Sequence, residues 1–216
     1  MWAGSVRWPG SGHGKHVILD FAAKDSYYEY IAYFYPPDVA INVSLGTFLS
    51  GGYRHIVLAP SPRVQDTLVH ELSHNRLAHL PLPRWLDEGI AVTMERKLSG
   101  NKGGMLDREL HRDHRAFWTP ESIGAFWSGD SFHADEGDGR ALSYSLAEVL
   151  VDLLVQDFPN FMDFVAKADD RDAGQSAAVE VLGLSLGDVV ATFLGPGDWA
   201  AAIPAPEARG NPPSRA

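Results

Sequence analysis

The stretch HELSHNRLAHLPLPRWLDEG, running from His70 to Gly89, carries the residue types of a metal site. On a helix, His70 and His74 are four positions apart, about 40° around the axis, so both imidazoles project from one face over a single ion. Glu71, one step round from His70, flanks that ion without needing to bind it, and from there a carboxylate can take a proton from an activated water. The chain has nine His and ten Glu in 216 residues. At that abundance His-Glu-x-x-His arises by chance in only about 0.02 of chains, so the spacing counts as a motif.

Two imidazoles leave a catalytic zinc one protein ligand short. The chain has no cysteine, so the third donor must be a carboxylate or another histidine. Glu88 is the candidate, on a helix that Pro81 and Pro83 oblige to start after a turn, because each proline disfavours helical geometry in the residue before it. Asp87 lies about 100° round that helix from Glu88, and Glu95 about 10 Å farther along the axis, so both are expected to serve as silent controls. Gly89 costs roughly 1 kcal/mol relative to alanine inside a helix. Either the second helix approaches the first closely there, or the glycine marks a weak helix start.

These residues need elements to position them. Ser61-Pro62 is an N-cap and first-turn signal, and Val64, Leu68 and Leu72 recur every four residues as a buried stripe, so a helix is expected over about 62–79. A second helix follows over about 84–98. The N-terminal third, with HVILDF, YIAYFY, AINVSL and YRHIVLAP between Pro, Gly and Asp/Ser punctuation, reads as a small sheet, although SYYEYIAYF fits a short helix equally well. Beyond 140 the pattern is helical: 143–156, 160–167, 176–182 and 185–194. Between them, 100–140 is rich in Gly, Asp and His, with a short helical insert after Thr119-Pro120. A sheet followed by helices is an α+β arrangement. Residues 16–200 read as one domain, between a flexible segment 1–15 and a disordered Pro/Ala-rich tail 201–216.

TLVHELSHNRL followed by LPRWLDEGIAV resembles the gluzincin metallopeptidases, in particular the compact peptidase MA-like domains. The resemblance implies a zincin-like fold, with His70, His74 and Glu88 as zinc ligands and Glu71 as the general base. The interval from His74 to Glu88 is shorter than in thermolysin-like relatives. Val92 also stands where those groups carry an aspartate four residues after the glutamate, so their outer carboxylate arrangement does not carry over. ALSYSLAEVLVDLLVQDFPNFMDFV and AAVEVLGLSLGDVVATFL are similar to the helical C-terminal part of such domains, which extends the likeness over about 60–200. There Tyr144 matches a tyrosine that reaches toward the metal and donates a hydrogen bond to an oxyanion. The alternative is a packed ring with its hydroxyl at the surface.

Other polar residues carry plainer readings. Asp66, four before His70, either accepts from a ligand imidazole or complements the helix dipole in the first turn, and the second is favoured. His111 and His114 in ELHRDHRAF read as a solvated charged stretch rather than a second metal site. His55, His79 and His133 stand alone. Asp169 to Asp172 lacks a calcium-loop pattern, and Gly51-Gly52 reads as a turn.

The net charge of −10 and the lack of a basic cluster exclude a nucleic-acid surface. No apolar run approaches the roughly 20 residues of a membrane helix, and MWAGSVRWPGSGHGK lacks the order of a signal peptide. Compartment stays open, with the cytoplasm favoured. The expectation is a peptidase with one catalytic zinc ion, acting on peptide or protein substrates. Endopeptidase action is favoured by the lack of a free-amine-binding motif, and YRHIVLA is read as an edge strand that holds substrate backbone. The alternative is a zinc-binding or structural module without catalysis, against which the retained Glu71 weighs.

Overall fold

The computed structural model describes residues 16–35, 44–98, 108–133 and 139–201. The segment read as flexible, 1–15, lies outside them, as do most of AINVSL and, apart from the buried Ala201, the tail 201–216 read as disordered. Within the described residues the chain is α+β. Three strands, β1 (Ile18–Asp20), β2 (Gly46–Leu49) and β3 (His55–Leu58), form one sheet. The helices are α1 (Lys24–Ile31), α2 (Val64–Leu77), α3 (Arg84–Leu98), α4 (Arg108–Phe117), α5 (Ile123–Ser128), α6 (Gly139–Leu154), α7 (Phe158–Lys167), α8 (Gln175–Ala177) and α9 (Leu186–Leu194). A wider π-type turn, Ala178–Leu182, continues α8. No single described helix is long and apolar enough to cross a membrane.

SYYEYIAYF resolves as α1, because Tyr27 and Ile31, one turn apart, are both buried beneath the sheet residues Leu49 and Val57. β3 is the central strand, parallel to β1 and antiparallel to β2, with all four residues buried. The edge-strand reading of YRHIVLA is therefore corrected: the open edge beside the motif helix belongs to β2. Its sequence GTFL gives little strand signal, since glycine weakens a strand and the run is only four residues long. At Gly46 a β-carbon would stand 2.4 Å from Thr67 Cγ2, so only glycine lets β2 press this closely on α2.

The motif helix begins later than its signal. Ser61 Oγ accepts from the Arg63 N–H at 3.1 Å and its carbonyl accepts from the Val64 N–H at 3.2 Å, so 61–63 form a turn ahead of α2. Val64, Leu68 and Leu72 are half-buried, not fully buried as expected, whereas Glu71 and Leu77 are interior. The reason is that α2 packs through its histidine face on β2, β3 and α3. That leaves the apolar stripe to one side.

The Leu80–Pro83 turn is anchored by the Asp170 N–H, which donates to Pro81 O at 2.8 Å. Trp85, fully buried, donates from Nε1 to Ala173 O at 2.9 Å. α3 then returns along α2, as the contacts in reversed order show: His74 meets Asp87, His70 meets Glu88 and Glu95, and Arg63 meets Glu95. A β-carbon on Gly89 would lie 2.6 Å from Ala147 O and 2.8 Å from Val151 Cγ2. The close approach that Gly89 permits is thus to α6, not to α2. Arg96 adds ion pairs to Glu148 and Asp152 of the same helix. The main core, around Trp85, Phe126, Trp127, Leu146 and Phe164, lies on this side.

ELHRDHRAF is also corrected. It forms α4, and His114 is fully buried rather than solvated. Trp118 donates from Nε1 to His114 Nδ1 at 3.1 Å, which leaves the His114 Nε2–H to donate to Ser145 Oγ at 3.0 Å. Burial pushes this imidazole down to about 4.

Candidate metal centre

A cavity of about 580 Å³ opens between the edge of β2 and the helices α2, α3 and α6. Its floor is where the sequence motif converges. His70 Nε2 and His74 Nε2 stand 3.1 Å apart, and Glu88 Oε2 lies 3.3 Å from the first and 3.4 Å from the second. Glu88 is buried, and both imidazoles are half-buried. These three side chains are the group among the described residues that can hold a metal ion.

The outer nitrogens explain which way the rings face. His74 Nδ1 meets Asp87 Oδ2 at 2.9 Å, and His70 Nδ1 faces Glu95 Oε2 at 3.4 Å. At His74 the carboxylate keeps the proton on Nδ1 and turns the Nε2 lone pair inward, while His70 Nδ1 is buried without a hydrogen bond and has Glu95 only as a charged neighbour. Two inward lone pairs then meet Glu88 Oε2, a buried carboxylate oxygen without a hydrogen-bond donor. Three converging acceptors are satisfied by a cation. A tetrahedral zinc ion with bonds of about 2.0–2.1 Å sets its ligand atoms about 3.3–3.4 Å apart; the two spacings to Glu88 match this and the 3.1 Å between the imidazole nitrogens is slightly shorter.

Electrostatics agree. Burial works against charged imidazoles, yet Glu88 and Glu95 push His70 up to about 9, and Asp87 with Glu88 pushes His74 up to about 10. Burial likewise opposes ionisation of Glu88, but His70, His74 and Arg84 hold its carboxyl far below the usual range. This pocket of carboxylates calls for positive charge, which protons or a divalent cation can supply.

Asp87 and Glu95, expected to be silent, are therefore reassigned as the carboxylates behind the two imidazoles. Asp87 lies on another face of α3 from Glu88, and Glu95 shares the Glu88 face two turns farther on, so spacing on one helix does not show what either meets; the antiparallel return of α3 along α2 does. Asp66 makes no contact with His70. It pairs with Arg63 at 2.9 Å, and Arg63 in turn holds Glu95 at 2.9 Å, so Asp66 reaches the site only through two intermediaries. Arg84, not singled out by the motif, bonds Glu88 Oε1 at 2.9 Å and so turns Oε2 inward.

Glu71 is buried beside the imidazoles. Burial raises its carboxyl above the ordinary value, against the pull of His70 and His74 and of the Phe48 backbone N–H that reaches it. Tyr144 lines the same cavity, its ring edge-on to Phe132 at 5.2 Å between centroids. Burial raises its phenol, and Glu88 adds to this. His55 is apart from the site, buried between Tyr30 OH at 3.0 Å and Tyr53 O at 2.6 Å. Compared with protein-family models, curated proteins and solved structures, the chain finds no match in any of the three.

Proposed function

We propose that this chain is a zinc-dependent peptidase of the gluzincin type, on a zincin-like fold, that cuts within peptide chains. The observation that carries the reading is the meeting of His70 Nε2, His74 Nε2 and Glu88 Oε2, three acceptors 3.1–3.4 Å apart, at the floor of an open cavity with the Glu71 carboxylate beside them. His70, His74 and Glu88 would hold one zinc ion. When bound, zinc supplies Lewis acidity that makes a water acidic near neutral pH and polarises a carbonyl.

The chain's own groups account for the rest. Asp87 fixes the His74 tautomer and holds its ring in place, and Glu95 sets a negative charge beside His70. Glu71, with its raised carboxyl, is suited to take a proton from water and pass it to the departing amine, since a general base works best when its pKa lies near the working pH. Tyr144 lines the cavity, and its hydroxyl would serve as a hydrogen-bond donor for a carbonyl oxygen that gains charge. Among the described residues β2 is an edge strand, and its Gly46 and Thr47 at the cavity wall suit an extended peptide laid on as a further strand, with the Phe48 N–H already turned to Glu71.

A library of unblocked and end-blocked peptides read by mass spectrometry tests this reading. Internal cuts that vanish on chelation and return with added zinc are expected. Zinc uptake without any cleavage would overturn catalysis and favour a zinc-binding module instead.

A further inference from the structure

We propose that Arg140, with Arg84 beside it, forms a carboxylate-binding subsite in this cavity, so that the peptides it takes present a carboxylate close to the bond to be cut. That these peptides are cleaved rests on the peptidase reading; that they bind does not.

The four carboxylates of the cavity are already engaged. Glu88 meets two imidazoles and Arg84, Asp87 meets His74, and Glu95 meets His70 and Arg63. Glu71 is buried and reached by the Phe48 N–H. Arg140 lines the same cavity, its side chain meets the Tyr144 phenol in a hydrogen bond, and no ion pair joins it to a described carboxylate. Its guanidinium carbon lies 6.0 Å from the centre of the Tyr144 ring.

Local preference does not explain this placement. Arg140 sits in the first turn of α6, where a cation opposes the helix dipole. Arg84 contributes from the facing helix: one nitrogen holds Glu88 Oε1, and the rest of its five-donor fork remains for another acceptor. Tyr144 lies within the electrostatic reach of both arginines and of Glu88, so the two cations border the place where a carbonyl would meet its phenol. A guanidinium fork matches a carboxylate with two parallel hydrogen bonds, which neither an amide nor a hydroxyl reproduces.

The carboxylate has two possible sources, an Asp or Glu side chain or the C-terminus of the peptide. Zinc-loaded protein carrying Glu71→Gln, which consumes no probe, is titrated with labelled peptides by fluorescence anisotropy. One arm scans Glu against Gln through an end-blocked neutral peptide; the other compares that peptide as free acid and as amide. At least one carboxylate peptide is expected to bind about tenfold more tightly than its neutral twin. Arg140→Gln should bring the two within about twofold, and Arg140→Lys should keep part of the preference, with zinc content unchanged in both. Preference in the first arm identifies a side-chain reader, and in the second a chain-end reader. No preference in either arm, or one that survives Arg140→Gln, overturns the subsite. Carboxylate binding through Arg140 in protein that cleaves nothing with Glu71 intact would uphold the subsite and sink the peptidase reading; cleavage indifferent to carboxylates would do the reverse.

Discussion

Replacing Asp87 by Asn keeps the size and one acceptor oxygen of the side chain while removing the charge that holds His74 Nδ1 at 2.9 Å. A hydrogen bond to a charged group contributes about 1.5–3 kcal/mol and a neutral one about 0.5–1.5, so the loss should be about 1–2 kcal/mol. It is moderated because the Asp87 side chain is 29% exposed. This corresponds to a fall of about fivefold to thirtyfold in zinc affinity, overlapping the lower part of the roughly 10–100-fold range found when groups behind metal ligands are removed. Glu95→Gln should cost less, about twofold to fivefold, since Glu95 stands 3.4 Å from His70 and shares its charge with Arg63. Competition against a chromophoric chelator measures both, with far-UV circular dichroism to check folding. Affinity unchanged in Asp87→Asn, or a larger loss in Glu95→Gln, would refute the assignment of these carboxylates.

Other outcomes follow from the same geometry. Gly89→Ala places a methyl group 2.6 Å from Ala147 O; overpacking of this kind costs about 1–3 kcal/mol, and the melting temperature should fall by about 3–10 °C, whereas an unchanged value would mean that α3 and α6 are not in close contact. Tyr144→Phe should lower kcat by about tenfold to a hundredfold with zinc affinity intact, and unaltered turnover would remove the phenol from the chemistry. His114, pushed down by burial from its ordinary value to about 4, stays neutral in the fold while the unfolded chain takes up a proton below about 6.5. Its contribution is therefore present above pH 6.5 and lost as the pH falls toward 4, on the order of 3 kcal/mol in all. Denaturant titrations should show a flatter acid limb in His114→Gln than in the unaltered protein, and equal slopes would contradict the buried neutral imidazole.

The start of α3 could be read in the sequence because prolines and a tryptophan-led apolar pattern mark it. The convergence of His70, His74 and Glu88 was legible for a similar reason: helical spacing fixes the first two, and a forced turn limits where the third can come from. What stayed hidden depends on contacts between elements. Asp87 and Glu95 look like surface acids until α3 lies along α2, and Arg84 and Arg140 belong to no motif. The central position of β3 depends on a four-residue strand opened by glycine. α4 was masked by its charges, because five of its ten residues are Arg, Asp or Glu, yet its one buried histidine faces the core.

Zinc stoichiometry, measured on metal-free protein titrated with the ion and compared across three variants, tests the central claim most directly. One zinc per chain is predicted for the unaltered protein and for Glu71→Gln, with binding weakened by about a hundredfold or more where a ligand is lost, the neutral imidazole in His74→Ala and the charged oxygen donor in Glu88→Gln. Unaltered protein that takes up no zinc, or Glu88→Gln that binds it as tightly as before, would contradict the account.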